Sequence, residues 1–244
     1  MILPKREDVF HKIQLYRLLT SLLDSDLVLR STYFKGGTCA SMLGFLDRFS
    51  IDLDFDLKKG VLKTGLDKEL RRIFEKLDLE VDKKSSKTLY YILKYQSEPG
   101  LRNSLKLSLI DRQFKNNDYR PFYLKEIDRY ANCQTIETMF ANKLVALTDR
   151  YKKTKSIAGR DLYDIHHFFL RGYRYNGKII KERTGKDMKS YLKELIDFIE
   201  QKASDRIINE DLNYLLPRDK FKKIKKILKK ETIMLLKDEL KRNG

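Results

Sequence analysis

Seven consecutive residues, Ile51-Asp52-Leu53-Asp54-Phe55-Asp56-Leu57, alternate apolar and acidic side chains without a break. A period of two belongs to a strand with one buried face. The pattern predicts that Ile51, Leu53, Phe55 and Leu57 face a core while Asp52, Asp54 and Asp56 project together from the other side. Side chains two apart on a strand start roughly 6–7 Å from one another. Two carboxylates at that separation can converge on one hard divalent cation, or hold two between them. Three like charges in a row repel, so a compensating positive group is expected beside them. Acidic alternation is also the ordinary pattern of a solvated sheet face, so the strand alone does not make a site.

The stretch ahead of it supplies a second half-site. Asp26-Leu27-Val28-Leu29 reads as a strand leading through Phe34 into Lys35-Gly36-Gly37-Thr38, followed by the helix-compatible Cys39 to Phe45. Strand, Gly-Gly turn and helix leave backbone N–H groups uncovered at the helix start, where an anion is favoured, and the Thr38 hydroxyl can join that cradle. A lone Gly-Gly is usually only a turn. Order and spacing set this one apart: Gly-Gly-Thr, a short helix, then Arg48-x-Ser50-x-Asp52-x-Asp54. Phosphate-binding backbone just ahead of metal-binding carboxylates describes a nucleotide–metal site of the kind used in phosphoryl or nucleotidyl transfer.

That pattern resembles the nucleotidyltransferase superfamily, which carries a Gly-Gly or Gly-Ser turn followed by an Asp-x-Asp strand. More narrowly, KGGTCASMLGFLDRFSIDLDF is similar to the first motif of the AbiEii/AbiGii toxins, the nucleotidyltransferase-like proteins of type IV toxin–antitoxin and abortive-infection systems. Two later stretches resemble that family's later motifs in order. They are Lys143-Leu144-x-Ala146-Leu147-x-x-Arg150 and Arg160-Asp161-Leu162-Tyr163-Asp164-Ile165. The resemblance covers roughly residues 30 to 170.

The remaining chain frames these motifs. Residues 5–23 place Val9, Ile13, Tyr16, Leu19 and Leu23 at helical spacing, with His11 in polar surroundings and expected to be exposed. Residues 61–77 make a second amphipathic helix with Leu62, Leu66, Leu70, Ile73 and Leu77 on one face. Strands are predicted over 77–81, 88–95 and 105–110, with a loop over 82–87. In the last of these, Leu105, Leu107 and Leu109 point inward. Superfamily members place a third acid on a strand of this kind. Here Ser108 stands at the matching place, and Asp111 falls on the opposite face by parity. The missing acid weakens two-metal chemistry and leaves one-metal transfer possible.

After residues 116–121 the chain is predicted to turn helical and stay so. The expected organisation is an α/β (α+β) fold. A nucleotidyltransferase-like mixed sheet with flanking helices occupies residues 1–130, and a helical domain completing the active-site cleft occupies 131–244. Thr135 to Tyr151 forms a helix whose apolar stripe includes Lys143, and a lysine there must snorkel out or meet an anion. The next helix opens near Asp161, which is well placed to cap it, while Arg160 can pair with Asp164. The adjacent His166 and His167 have no further ligands nearby in sequence and read as packing residues. Tyr191, Leu192, Leu195, Ile196 and Ile199 form one later apolar face. Phe221, Ile224, Ile227, Leu228, Leu235 and Leu236 form another, beside Lys222, Lys223, Lys226, Lys229 and Lys230.

The net charge of +17 favours a polyanionic partner, nucleic acid before an acidic protein or a membrane surface, although codon bias toward lysine gives the same composition. Two cysteines, Cys39 and Cys133, indicate neither a disulfide framework nor a zinc site. No apolar run suggests a membrane span and the N-terminus lacks a signal-peptide core, so a cytoplasmic protein without membrane association is expected.

The resemblance implies a Mg²⁺- or Mn²⁺-dependent toxin that transfers a nucleotide from an NTP to an RNA acceptor, with a tRNA 3′ end expected. A cognate antitoxin would neutralise it. The implied metal ligands are Asp52 and Asp54. The implied nucleotide-binding set is Lys35, Gly36, Gly37, Thr38, Arg48, Ser50 and Lys143, with Asp161 or Asp164 doing acid–base work or supporting the groups that touch the nucleotide. Two other readings stay open at this point: an RNA-binding protein that keeps the fold without the reaction, and transfer to a protein hydroxyl.

Overall fold

The computed structural model describes residues 1–85, 88–111 and 113–242. Two compact units divide the chain, one of residues 1–113 with 119–134 and one of 114–118 with 135–244.

The first unit is built on a seven-stranded mixed sheet of order β3-β4-β5-β2-β1-β7-β6. Its strands are β1 (Thr32–Lys35), β2 (Asp52–Leu57), β3 (Glu80–Lys84), β4 (Leu89–Lys94), β5 (Ser104–Ile110), β6 (Tyr119–Leu124) and β7 (Arg129–Gln134). Its helices among the described residues are α1 (Asp8–Leu23), α2 (Asp26–Ser31), α3 (Gly36–Met42) and α4 (Lys63–Lys76). The acidic strand lies at the centre of the sheet. Leu53, Phe55 and Leu57 are buried with Leu105, Leu107 and Leu109 of β5, which runs parallel beside it. Helices α1 and α4 cover that apolar face. Leu66, Leu70, Ile73 and Phe74 are the buried positions of α4, while Leu62 lies outside the helix and is exposed.

Helix α1 turns a different face inward from the one its outermost apolar residues suggest. Val9 and Ile13 are exposed, and His11, Leu15, Leu18 and Leu22 form the buried stripe. Both stripes have helical spacing, so periodicity alone did not choose between them. Four fully buried leucines, Leu15, Leu18, Leu19 and Leu22, decide it, each worth about 1.5–3 kcal/mol when removed from water. His11 goes in with them because both ring nitrogens are satisfied. Nδ1 meets the Tyr95 hydroxyl at 2.7 Å and Nε2 lies 3.3 Å from the Ile51 carbonyl. The expectation of an exposed histidine is therefore corrected.

Burial pushes the His11 pKa below its usual 6.5, against the raising effect of the Ile51 carbonyl. A lowered histidine pKa means that the unfolded chain takes up the proton first. Stability is thus expected to fall as pH drops below about 6.5. Melting temperatures at pH 7.5 and 5.5 check this: the wild type should lose several degrees, and His11→Gln should lose less.

Two further elements depart from the sequence reading. Asp26 to Ser31 is the short helix α2, because the Ser25 hydroxyl caps it by accepting from the Val28 N–H and Asp26 and Arg30 occupy the terminal turns that favour their charges. The strand begins only at Thr32. Residues 119–134 form the antiparallel hairpin β6–β7 in place of the expected helical continuation. Pro121 hides it from sequence, yet β6 is an edge strand, where a missing N–H is tolerated. Strands β3, β4 and β5 otherwise follow the expected segments, with β3 shifted to Glu80–Lys84. Residues 86 and 87 of the expected loop lie outside the described residues.

The second unit is helical: α5 (Ile136–Thr154), α6 (Gly159–Leu170), α7 (Gly177–Thr184), α8 (Met188–Lys202), α9 (Asp205–Leu212), α10 (Arg218–Ile224) and α11 (Leu228–Arg242). Thr135 caps α5 through the Thr138 N–H. Tyr191, Leu192, Leu195, Ile196 and Ile199 of α8 are all buried, as their spacing predicts. The last apolar stripe is corrected: a break after Ile224 splits it into α10 and α11, leaving Leu228, Thr232 and Leu236 as the buried positions of α11 and Ile227 exposed. Among the described residues no helix is long and apolar enough to cross a membrane.

Candidate active site

The β1–β2 ladder sets the site. Lys35 is paired with Asp54 and Tyr33 with Asp56, so the strand that enters the Gly-Gly turn lies directly against the acidic strand. Gly36 has φ +81, a region that costs a residue with a Cβ about 1–2 kcal/mol. A Cβ there would stand 2.8 Å from Asp54 Oδ2, so the carboxylate rests on the turn. A Cβ on Gly37 would stand 2.8 Å from both Arg48 Nη2 and Ser50 Oγ. The two glycines thereby let a carboxylate, a guanidinium and a hydroxyl approach the same stretch of backbone. Gly36→Ala is expected to displace Asp54 and to lower stability by at least about 1–2 kcal/mol. Denaturant titration checks the second effect, and loss of Mn²⁺ affinity checks the first.

Arg48 and Ser50 are buried, unusual for an arginine so close to a strand start. Arg48 Nη1 donates to the Phe49 carbonyl at 2.9 Å, and its own carbonyl accepts from the Ser41 hydroxyl at 2.9 Å. These bonds fix the connection from α3 back to β2.

Three side chains beside the turn have partners within the fold. The Thr38 hydroxyl is buried and donates to the Asp52 carbonyl at 2.5 Å, tying α3 to β2 and not opening toward an anion. Lys35 places Nζ 2.6 Å from Asp56 Oδ1 and so acts first as that carboxylate's counter-ion. Asp56 itself is 1% exposed and also accepts from Tyr119 Oη and Gln134 Nε2, each at 2.9 Å. The third aspartate of the strand is thus bonded within the fold on every side that these partners reach.

Sequence reasoning missed two of these partners and one more beside Asp52. Tyr119 and Gln134 come from the unforeseen hairpin and carried no local signal. Lys106 lies across from Asp52 on β5, with Nζ 3.3 Å from Oδ2, and Ser108 lies across from Asp54. The signal for Lys106 was available: it shares strand parity with Ser108. The positive charge expected beside the acids is supplied by Lys35 and Lys106.

Asp52 and Asp54 fit a hard divalent ion. Mg²⁺ is commonly held by one or two carboxylates with the rest of its shell from water and substrate phosphate. Two carboxylates on one strand face, with the Ser108 hydroxyl beside one of them, make such an oxygen donor set. Among the described residues no group of three or more His, Cys, Asp or Glu is placed to hold a metal by itself.

The helical unit gathers the later motifs. Lys143 of α5 lies 2.7 Å from Asp161 Oδ1 and 2.8 Å from Asp164 Oδ2, and Arg150, two turns on, lies 3.2 Å from Asp161 Oδ2. The lysine in the apolar stripe meets an anion, and the anion is a pair of buried carboxylates three residues apart on α6. Burial raises the Asp161 pKa, but the charges of Lys143 and Arg150 outweigh it and hold the carboxyl well below the usual carboxylate range. Asp161 does not cap α6, whose cap position is Ala158, and Arg160 pairs with Asp211 at 3.4 Å, while Lys143 reaches Asp164. His166 and His167 are both buried, and His166 Nε2 lies 2.8 Å from Glu231.

Compared with known families, the chain is matched over residues 15–230 by the one described as "Nucleotidyl transferase AbiEii toxin, Type IV TA system". No curated protein matches its sequence. Among solved structures, JHP933 from Helicobacter pylori superimposes with a TM-score of 0.61 at 20% identity, covering 98% of this chain and 95% of that one. MenT4, a nucleotidyltransferase toxin from Mycobacterium tuberculosis H37Rv, superimposes with a TM-score of 0.51 at 14% identity, covering 97% of this chain and 87% of that one. At these identities the two structures report a shared fold.

Proposed function

Since the chain belongs to the AbiEii family of nucleotidyltransferase toxins of type IV toxin–antitoxin systems, we propose that it transfers a nucleotide from an NTP to an RNA hydroxyl, with a tRNA 3′ end as the acceptor. The observation that carries the chemistry is the convergence of Asp54, Arg48 and Ser50 on the Gly36–Gly37 backbone, with Asp52 on the same strand face. The start of α3, where Lys35 gives no side-chain cap, and the Arg48 guanidinium beside Gly37 would favour the triphosphate. Asp52 and Asp54 would hold Mg²⁺ or Mn²⁺, which when bound neutralises triphosphate charge and polarises the α-phosphate. The acceptor hydroxyl gives up its proton to bulk water as its oxygen forms the new bond to the α-phosphorus, and the bond from that phosphorus to the oxygen bridging to the β-phosphate breaks, releasing pyrophosphate.

Within the helical unit the same reading gives Lys143 to the nucleotide's phosphates and makes Asp161 and Asp164 the groups that hold its ammonium in place. RNA as acceptor is supported by the net charge of +17 and by the exposed Lys222, Lys223, Lys226 and Lys230 of the last two helices and their connection. Family membership implies an antitoxin partner. A binding protein without chemistry is the second reading, favoured by Lys106 and Ser108 standing where a third acid would be.

The test is incubation of the protein with total RNA, Mg²⁺ and each of the four α-³²P-labelled NTPs in turn. Label entering tRNA-sized RNA from one or more nucleotides is expected. RNA that stays unlabelled with all four, while still bound by the protein and with no protein band labelled, would establish the second reading. Label on a protein band would redirect the acceptor to a protein hydroxyl.

A further inference from the structure

Lys106 occupies a position that ordinary site logic would fill with a carboxylate. On β5 it is the in-register neighbour of Asp52, and Ser108 is the neighbour of Asp54. The side chains of β5 on this face are Ser104, Lys106, Ser108 and Ile110, and the facing residues of β4 are Lys94, Ile92 and Tyr90. None is acidic. Asp56 is the third acid of β2, and Lys35, Tyr119 and Gln134 already occupy it. Lys106 Nζ sits 3.3 Å from Asp52 Oδ2 and 6.0 Å from the centre of the Tyr90 ring. The Tyr90 ring on β4 is thus at cation–π distance from the same ammonium that reaches Asp52.

We propose that Lys106 is a built-in counter-cation for Asp52, so that the site accepts one divalent ion where a three-carboxylate site accepts two. The inference rests on the metal-site reading above and deepens it. Asp52, Asp54 and Lys106 together carry a charge of −1. One divalent ion turns that to +1, a setting suited to a polyanionic triphosphate. A second divalent ion, which in two-metal sites lies roughly 3.5–4 Å from the first, would be pressed against a fixed ammonium, and among the described residues no group of three carboxylates is placed to hold it. Lys106 thereby supplies, as a positioning residue, the fixed positive charge that the second ion provides elsewhere.

The experiment is a Mn²⁺ titration of the full chain, with free ion followed by electron paramagnetic resonance. Wild type, Lys106→Met, Lys106→Glu and Lys106→Arg are compared with Asp52→Ala. The lysine side chain is 37% exposed, so these variants should fold, and their melting temperatures confirm it. Wild type should bind one ion per chain. Lys106→Met should bind one ion several-fold more tightly, since the ammonium no longer competes for Asp52. Lys106→Glu should bind two, and Lys106→Arg should return the wild-type affinity. Two ions in the wild type would overturn the proposal. One ion, lost in Asp52→Ala but unchanged in number and affinity by Met and Glu at 106, would overturn it while leaving the metal-site reading in place. Absence of any bound ion would remove both.

Discussion

Asp54→Ala is expected to lower nucleotidyl transfer by on the order of 10³-fold, the scale seen when a group stabilising a phosphoryl-transfer transition state is removed. The fold should survive the change. Asp54 is only half-buried and shares its strand face with Asp52, so its loss relieves like-charge repulsion. Asp56→Ala should behave in the opposite way. That carboxylate is buried and bonded to Lys35, Tyr119 and Gln134, so its removal strands a lysine and two hydrogen-bonding side chains. A cost of about 3 kcal/mol is expected, in the range for breaking a buried ion pair. Rate assays and urea unfolding on the two variants together separate the chemical aspartate from the structural one. A stable Asp56→Ala protein, or an unfolded Asp54→Ala protein, would reverse the assignment.

Lys143→Ala carries the second large effect, and it falls on stability first. The ammonium sits between two carboxylates that are 1% and 0% exposed. Removing it leaves Asp164 without its charge partner from α5 and Asp161 with Arg150. The expected cost is about 3 kcal/mol, lowering the melting temperature by roughly 10 °C. Lost activity in this variant therefore says little about phosphate binding by itself. Lys143→Arg keeps the charge and should restore most of the stability. If its activity stays low once the protein is folded, the compact ammonium is needed at the nucleotide, because a planar guanidinium presents its donors differently. Recovery of both properties would confine Lys143 to holding α5 and α6 together.

The parts of the fold legible in the sequence are those specified locally. Alternation named β2 and its buried face, and Gly36-Gly37 marked a turn that only glycines can make with Asp54 at 2.8 Å from the Cβ position. Lys143 in an apolar stripe announced that the lysine must either snorkel out or meet an anion. It did not say which, because Asp161 and Asp164 looked equally suited to local helix roles. The partners of the acids were invisible for a different reason. Lys106, Tyr119 and Gln134 reach Asp52 and Asp56 from 54, 63 and 78 residues away, and strand order alone brings them there. Hairpin β6–β7 escaped because an edge strand with Pro121 and exposed tyrosines lacks a buried alternating face. Helix α2 escaped because six residues carry too little periodicity to compete with an apolar run, and only the Ser25 cap distinguished it.

The most direct test of the central claim compares one nucleotide labelled in two places. The NTP that the protein uses is supplied with ³²P at the α-position in one reaction and at the γ-position in another, with RNA acceptor and Mg²⁺ in both. Nucleotidyl transfer predicts that α-label joins the RNA, that γ-label leaves as pyrophosphate in equal amount, and that both are lost in Asp54→Ala. Label reaching the acceptor from the γ-position, or from neither, would contradict the account.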